Sequence, residues 1–490
     1  MFGSSMAQLR YATAVARGRP VPGWALRSLV TAAVRTAAHR GIRAGSTDAL
    51  LLDTDEELAA DQRRRRFARQ VRYAAEHTTA YARLVTPDRT LPLPGFDLLP
   101  VTTKSQYAAD PQAYRATGVP AAMCFHTSGS TGAPTPVWAG ADELRTMWAL
   151  SAVSDVMHGH IGPQDHFVVA TWARALLGNT SAAMAAGMAG AQVSMPGQLP
   201  PATMINLLRT DVPGGTPDHC TVLLAYPSYL DHLITRARVI GLGPADFGLR
   251  RIITGGEIVT DGLIDRVRSV FGDGVDVVQG YGMTETFPAG GSVCEQGHLH
   301  FESSRCIIEV KALDSDTPAA PGTYGTLVVT PLLPFRRATV LIRYDTGDVV
   351  QVLESPARCS LAALPATSRV LGKRDLCAPQ STGLLTPARI LHSLERSGTT
   401  GHPIRFGFAS EQPTQDTGVH LEVVVQEREL SMAAERIHTV LAADRIEIGE
   451  LTLVTDPALL TRPYPWRGDL WEQPLTSAAQ VGDSARLTPA

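Results

Sequence analysis

Lysine is nearly absent from this chain. Lys104, Lys311 and Lys373 are its only lysines among 44 basic residues, and none follows position 373. Codon bias toward arginine accounts for the imbalance, but any chemistry that needs an ammonium group then has three candidates. Cysteine is scarce too: six residues in a chain of 490 exclude a disulfide scaffold and point to a reducing, cytoplasmic setting. No apolar run reaches the ~18 residues of a membrane-spanning helix. A net charge of −3 and a pI near 6.5 exclude nucleic-acid binding as the first reading. The opening MFGSSMAQLRYATAVARGRP has arginines where a secretion signal needs its apolar run. What remains is ordinary globular material, 44% hydrophobic and 19% charged, enough for two or three domains at ~150 residues each.

Residues 1–60 are expected to form a basic helical arm. Seven arginines lie between Arg10 and Arg43, and no acid precedes Asp48. Such a segment also suits a transit peptide or a membrane-surface helix; packing onto the rest of the chain is the expected use. Residues 61–371 read as a large α/β domain. It is entered through the helical pattern of DEELAADQRRRRFARQVRYAAEHTTAYARL, whose arginine run follows acids by about one turn and reads as a solvated face. FVVAT, AQVSM, CTVLLAY, LRRIITGG, VDVVQGYG and TLVVTPL are buried-strand patterns with helical stretches between several of them, which predicts a large mixed sheet layered with helices. From residue 372 to 490 the order PARILHSLE, HLEVVVQER, MAAERIHTVLAA, IEIGELTLV predicts a small α+β domain, with an irregular tail after Pro463.

Three segments carry chemistry. Thr127-Ser-Gly-Ser-Thr-Gly-Ala-Pro-Thr135 combines hydroxyls, two glycines and free backbone N–H groups, as a phosphate cradle requires. Val277-Val-Gln-Gly-Tyr-Gly-Met-Thr-Glu285 runs a strand into a turn that presents an aromatic face, a hydroxyl and a carboxylate. Tyr281 suits a flat base, Thr284 a phosphate and Glu285 a magnesium ion. Ile342-Arg-Tyr-Asp-Thr-Gly-Asp348 ends in an aspartate able to accept both hydroxyls of a ribose.

In this order, the segments resemble the adenylate-forming superfamily of acyl-CoA synthetases and, within it, the phenylacetate–CoA ligase branch. The resemblance spans roughly residues 65–460. It includes Pro100-Val-Thr-Thr-Lys104, His126 at the head of the phosphate loop, Ala225-Tyr-Pro-Ser-Tyr229, Gly255-Gly-Glu257 and the hinge-like Leu371-Gly-Lys-Arg-Asp375. It implies adenylation of a carboxylate by MgATP, followed by rotation of the small C-terminal domain and transfer of the acyl group, usually to CoA. By resemblance, Thr127, Ser128, Gly129, Ser130, Thr131 and Gly132 wrap the β- and γ-phosphates. Gly256, Glu257, Gln279, Gly280 and Tyr281, with Gly282 and Met283 beside them, hold adenine. Thr284 meets the α-phosphate, Glu285 binds Mg²⁺, Asp348 takes the ribose, and Lys373 stands where the family has arginine. The acyl pocket falls on Trp172, Arg174, Tyr226, Gly255 and Phe287, whose aromatic content suggests an aromatic acid, with Arg174 or His166 facing a polar substituent.

The chain departs from the family at three places. Ala133 occupies the position of the phosphate-loop lysine. The C-terminal lysine that bridges carboxylate and α-phosphate has no counterpart, leaving Arg462 or Arg467, of which Arg467 is the better placed between Trp466 and Gly468. Cys294, His298 and His300, with Cys359, match the branch's Cys/His positions, but Ala357 replaces one cysteine. The fourth partner is either His298 or Cys306; the set is either a structural zinc site or buried free thiols beside surface histidines. The leading expectation is an ATP-dependent, AMP-forming ligase for a small aromatic acid, with ATP and Mg²⁺ as cofactors, no membrane or nucleic-acid partner, and a homodimer as one assembly. Two alternatives stand beside it. One is a relative using ATP without CoA, for nitrite activation or amide formation; the other is a non-catalytic nucleotide-binding homologue.

Overall fold

The computed structural model describes residues 2–40, 56–82, 99–127, 134–171, 176–211, 219–410 and 419–467. Two helices open the chain, α1 (Phe2–Arg17) and α2 (Gly23–Arg40), followed by α3 (Glu56–His77) and the short α4 (Lys104–Ala109). Thr103 starts α4 with a reciprocal cap: its hydroxyl accepts from the Gln106 backbone N–H at 3.2 Å, and the Gln106 side-chain Oε1 accepts from the Thr103 N–H at 2.8 Å. The hairpin β1 (Met123–His126) and β2 (Pro136–Ala139) precedes α5 (Ala141–Met157).

The strand and helix pattern then alternates: β3 (His166–Ala170), α6 (Leu176–Ala189), β4 (Gln192–Ser194), α7 (Pro201–Arg209), β5 (Val222–Ala225), α8 (Pro227–Val239), β6 (Arg251–Gly255), α9 (Asp261–Phe271) and β7 (Asp276–Gly282). Five of these strands pair in parallel, and β8 (Gly290–Val293), β9 (His298–Phe301) and β13 (Ala366–Ser368) extend the sheet antiparallel beyond β7. The eight-stranded order is β13-β9-β8-β7-β6-β5-β3-β4. Both faces of its centre are covered, which is why its strands are apolar without alternation. Val168, Leu223 and Ile252 pack with Met204, Leu233 and Val267 of α7, α8 and α9, while Phe167, Val169 and Val222 pack with Ala183 and Ala186 of α6. Helices α1 and α2 share a core with α5 and α6, where Tyr11, Leu26 and Leu29 meet Leu150, Val153 and Ala185.

A second, antiparallel sheet joins β10 (Cys306–Ala312), β11 (Tyr324–Pro331), β12 (Tyr344–Gln351) and β14 (Gly372–Lys373). After the small hairpin β15 (Ala378–Gln380) and β16 (Gly383–Leu385) come α10 (Pro387–Ser397), β17 (Phe406–Ser410), β18 (Val419–Val424), α11 (Leu430–Ala443) and β19 (Ile448–Val454). Thr386 caps α10 from outside, Pro387 sits in its first turn, and Gly398 closes it in the left-handed region. The last three strands form their own sheet against α10 and α11, with Leu391, Leu394, Phe406, Leu421 and Ile437 in its core. A charged knot ties α10 to the large sheet's helices. Arg266 of α9 holds Asp231 of α8 at 2.9 Å and Glu395 of α10 at 2.5 Å, and Thr260 donates to Glu395 at 2.9 Å. Gly262 leaves room for this carboxylate, since a Cβ there would lie 2.4 Å from the Glu395 carboxyl carbon and push it from its partners.

Candidate active site

Parallel strands point their carboxyl ends to one edge, and the crevice outside that edge is where such sheets bind ligands. Here the edge gathers Thr171 after β3, Tyr226 after β5, Gly255–Glu257 after β6 and Gln279–Glu285 at the end of β7. Gly255 pairs with Gly280 so closely that a Cβ would fall 2.2 Å from the Gly280 carbonyl oxygen. Gly256 has φ +78°, and a Cβ there would approach both the Tyr226 ring and the Arg467 guanidinium to 3.2 Å. Thr127 closes the neck of the Ser/Gly/Thr loop: its hydroxyl accepts from the Thr135 N–H at 3.0 Å, and its own N–H donates to the Thr135 carbonyl at 3.0 Å. Ser128, Gly129, Ser130, Thr131 and Gly132 lie outside the described residues, as do Ala133, Trp172 and Arg174.

Asp348 comes to this edge from the second sheet. The Tyr281 hydroxyl donates to its Oδ2 at 2.8 Å, and Lys373, its cross-strand partner on β14, reaches Oδ1 at 2.8 Å. Lys373 also donates to the Thr346 carbonyl at 3.0 Å. Burial, with the Asp348 charge second, holds the Tyr281 phenol well above its ordinary range, so it stays a donor. Its ring meets Phe301 edge-on at 5.9 Å, so the hydroxyl and one flank of the residue expected to stack on a base are already engaged.

Glu285 is arranged differently. It is buried in the turn after β7, where the Phe287 N–H donates to the Met283 carbonyl at 3.0 Å, and Thr284 beside it is half-buried. The Tyr107 and Tyr344 phenols and the Arg336 guanidinium are electrostatic neighbours of its carboxylate.

Arg467 arrives from the end of the described chain. Pro463 bridges to Gly407, the Tyr464 N–H donates to the Phe406 carbonyl at 2.8 Å, and the Tyr464 ring stacks on Phe406 at 5.2 Å. Trp466 packs against Tyr464 with centroids 4.8 Å apart. The Arg467 backbone N–H then donates to Glu257, whose carboxylate also accepts from the Ser228 N–H at 2.8 Å and the Ser228 hydroxyl at 2.9 Å. The Glu257 carboxylate, expected beside adenine, is thus engaged by protein groups. Arg462 is exposed, with its backbone against Gly407, away from this edge.

On the acyl side, Tyr226 is buried, and Phe287 packs on the Phe125, Leu144 and Leu177 cluster. Thr171 donates to Asn179 at 2.6 Å at the end of β3. His166 is elsewhere: it begins β3, at the amino end of the parallel strands, and contacts Ser194 at 2.8 Å. Strand direction alone separates it from the pocket.

Residues 46–332 match the family model described as AMP-binding enzyme. The chain belongs to that family. That places it in the adenylate-forming acyl-CoA ligase superfamily, whose mixed α/β fold it has. A search of curated proteins returned no match. Among solved structures, 2-hydroxyisobutyryl-CoA ligase in its postadenylation state is similar at 22% identity and a TM-score of 0.64, over 82% of this chain and 88% of that one. The same ligase in an open conformation with 2-HIB-AMP and CoA gives 23% identity and 0.60, over 82% and 90%. An ATP-bound RpMatB-BxBclM chimera gives 16% and 0.50, over 69% and 64%. At these identities the likeness is one of fold.

Within this AMP-binding enzyme, a second constellation lies along the antiparallel edge of the large sheet. The ligand atoms of Cys294, His298, His300 and Cys359 are all within 4.8 Å of one another. Cys359 Sγ is 3.1 Å from His300 Nε2, and His300 Nδ1 is 3.4 Å from the Leu364 carbonyl. That contact leaves Nε2 facing the thiol, the usual way a ligating imidazole is oriented. His298 Nδ1 is buried without a hydrogen-bond partner. The two loops are clamped independently: Ser360 donates its N–H and hydroxyl to Glu295 at 2.9 and 2.8 Å, and Gln296 donates to the Arg358 carbonyl at 2.7 Å. Cys306 is not in the group. It packs with Ala289 and Val329. Two thiols and two imidazoles at these separations fit a tetrahedral metal with ligand bonds of ~2.0–2.3 Å.

Several neighbours escaped the sequence reading. Ser228 lies inside a quoted motif, and its role depends on Glu257 folding back onto α8. Tyr107 and Tyr344 come from α4 and β12, remote in sequence from Glu285, and Arg336 is one arginine in a chain full of them.

Proposed function

We propose that this chain is a phenylacetate–CoA ligase-like enzyme. It adenylates a small aromatic carboxylic acid with MgATP and passes the acyl group to CoA. One observation carries the reading: a single strand edge collects Tyr226, Gly255–Glu257 and Gln279–Glu285, and meets Asp348 and Lys373 from one side and Arg467 from the other. The acid lies against Tyr226, Gly255 and Phe287, with Trp172 and Arg174 completing its pocket. Its carboxylate attacks the α-phosphorus, forming the mixed anhydride and expelling pyrophosphate. Thr284 orients the α-phosphate, the Thr127–Gly132 loop receives the β- and γ-phosphates, and Asp348 accepts from the ribose hydroxyls. The fold neighbours holding acyl-AMP and CoA support CoA as acceptor.

Arg467 takes the place of the family's C-terminal lysine, bringing a fixed positive charge beside Tyr226. Residues 61–371 act as the large domain and 372–490 as the small, rotating one, hinged near Lys373. Glu285 would hold magnesium, which neutralises charge on the phosphates. Cys294, His298, His300 and Cys359 would hold a structural zinc that pins the Cys359 loop to β9.

The test is an AMP-release screen over aromatic acids, with CoA, amines and nitrite each supplied or omitted. Acid- and CoA-dependent AMP release supports the reading. AMP release that needs nitrite or an amine but no CoA selects the acceptor-switched alternative, and no turnover with any acid rejects the ligase.

A further inference from the structure

Arg336 is 1% exposed, among the most deeply buried charged residues of the chain. Its Nε donates to the Thr339 carbonyl at 3.0 Å, but Nη1 and Nη2 are both buried with no hydrogen-bond partner. A guanidinium stays charged in any protein setting, and leaving its N–H groups dry and unpaired is costly. Its electrostatic neighbours are Glu143, Tyr107 and Glu285. Glu143 is already engaged, accepting from the backbone N–H groups of Gly140, Arg337 and Ala338. The Tyr107 hydroxyl is engaged too, donating to the Pro136 carbonyl at 2.6 Å.

One further polar atom near Glu285 is equally bare. Thr286 Oγ1 is buried without a partner, while the Tyr344 phenol is turned toward the Glu285 carboxylate. The whole group lies against the hairpin that carries the phosphate loop, since Thr339 exchanges hydrogen bonds of 2.9 and 3.0 Å with the Trp138 backbone on β2. Open donors next to one carboxylate, beside the β1–β2 hairpin, suit a ligand bearing many anionic oxygens and a cation.

We propose that Arg336 is an anion-binding residue of the phosphate subsite, its two Nη groups contacting the β- or γ-phosphate oxygens that leave as pyrophosphate. The proposal rests on the ATP site described above.

The experiment compares binding of AMP and of magnesium pyrophosphate by titration calorimetry in wild-type protein, R336M and R336K. AMP lacks the phosphates in question, so R336M should bind AMP within about twofold of wild type and bind pyrophosphate at least ~10-fold more weakly. R336K should fall between. A purely structural arginine would move both ligands together, and that result, or unchanged pyrophosphate affinity, overturns the assignment. Should R336M fail to fold, R336K decides: selective weakening of pyrophosphate supports the proposal, and equal affinity rejects it. Wild-type protein that binds AMP but not pyrophosphate also rejects it while sparing the ATP-site reading. Protein that binds neither removes both.

Discussion

The two ends of the proposed nucleotide site are prepared in opposite ways. At the ribose end, Asp348 is held at both oxygens, by Tyr281 and by Lys373 at 2.8 Å each. At the proposed phosphate end, the groups around Glu285 leave the Nη atoms of Arg336 and the Thr286 hydroxyl without partners. A carboxylate fixed by its neighbours needs little reorganisation to receive a neutral sugar. A cluster with open donors is completed by a charged ligand, so the phosphates would satisfy at once the groups that the fold leaves unpaired.

Breaking the phosphate end should cost most. Glu285→Gln is expected to lower AMP formation at least ~100-fold while the protein still folds; turnover like wild type would remove Glu285 from the metal role. Arg467→Ala should come next, slowing adenylate formation ~10-fold or more while pre-formed acyl-adenylate is still consumed by the acceptor at nearly the original rate. Equal slowing of both half-reactions would mean that Arg467 only positions the segment.

The ribose end should prove more tolerant. Asp348→Asn should raise the ATP KM about 10-fold with a smaller change in kcat, and Tyr281→Phe only a few-fold, because Lys373 still holds Oδ1. If Tyr281→Phe matched Asp348→Asn, the two-sided support of Asp348 would be wrong. The smallest effect on turnover is expected for Cys294→Ser. It should abolish bound zinc, measured by atomic emission, and lower the melting temperature by several degrees, with kcat within about threefold. Full zinc retention would reject the ligand set.

Much of this was readable in advance where local chemistry decides structure. The parallel strands stand out because burial on both faces demands unbroken Val/Ile/Leu runs such as those of β3 and β6. The fourth member of the Cys/His group was open from spacing alone, and the reason it is His298 is periodicity: His298 and His300 are two apart on β9 and share a face, whereas Cys306 opens another strand. The Asp348 support was not legible, because Tyr281, Asp348 and Lys373 lie on β7, β12 and β14 of two sheets, and no sequence pattern reports how the sheets meet. Arg336 was hidden by composition. In a chain whose basic residues are almost all arginine, a buried functional one carries no mark.

Glu257 grips the main chain of Arg467 rather than its guanidinium. Location and charge at this position are therefore separable properties. Any residue with a backbone N–H can be delivered to the same spot, and proline alone would be refused. The docked segment behaves as a socket with an interchangeable tip, so the side chain proposed to meet the acid and the α-phosphate can change without the segment losing its seat. Such a junction lets an arginine stand where a lysine is usual, and lets the position be rewritten by substitution with the docking left untouched.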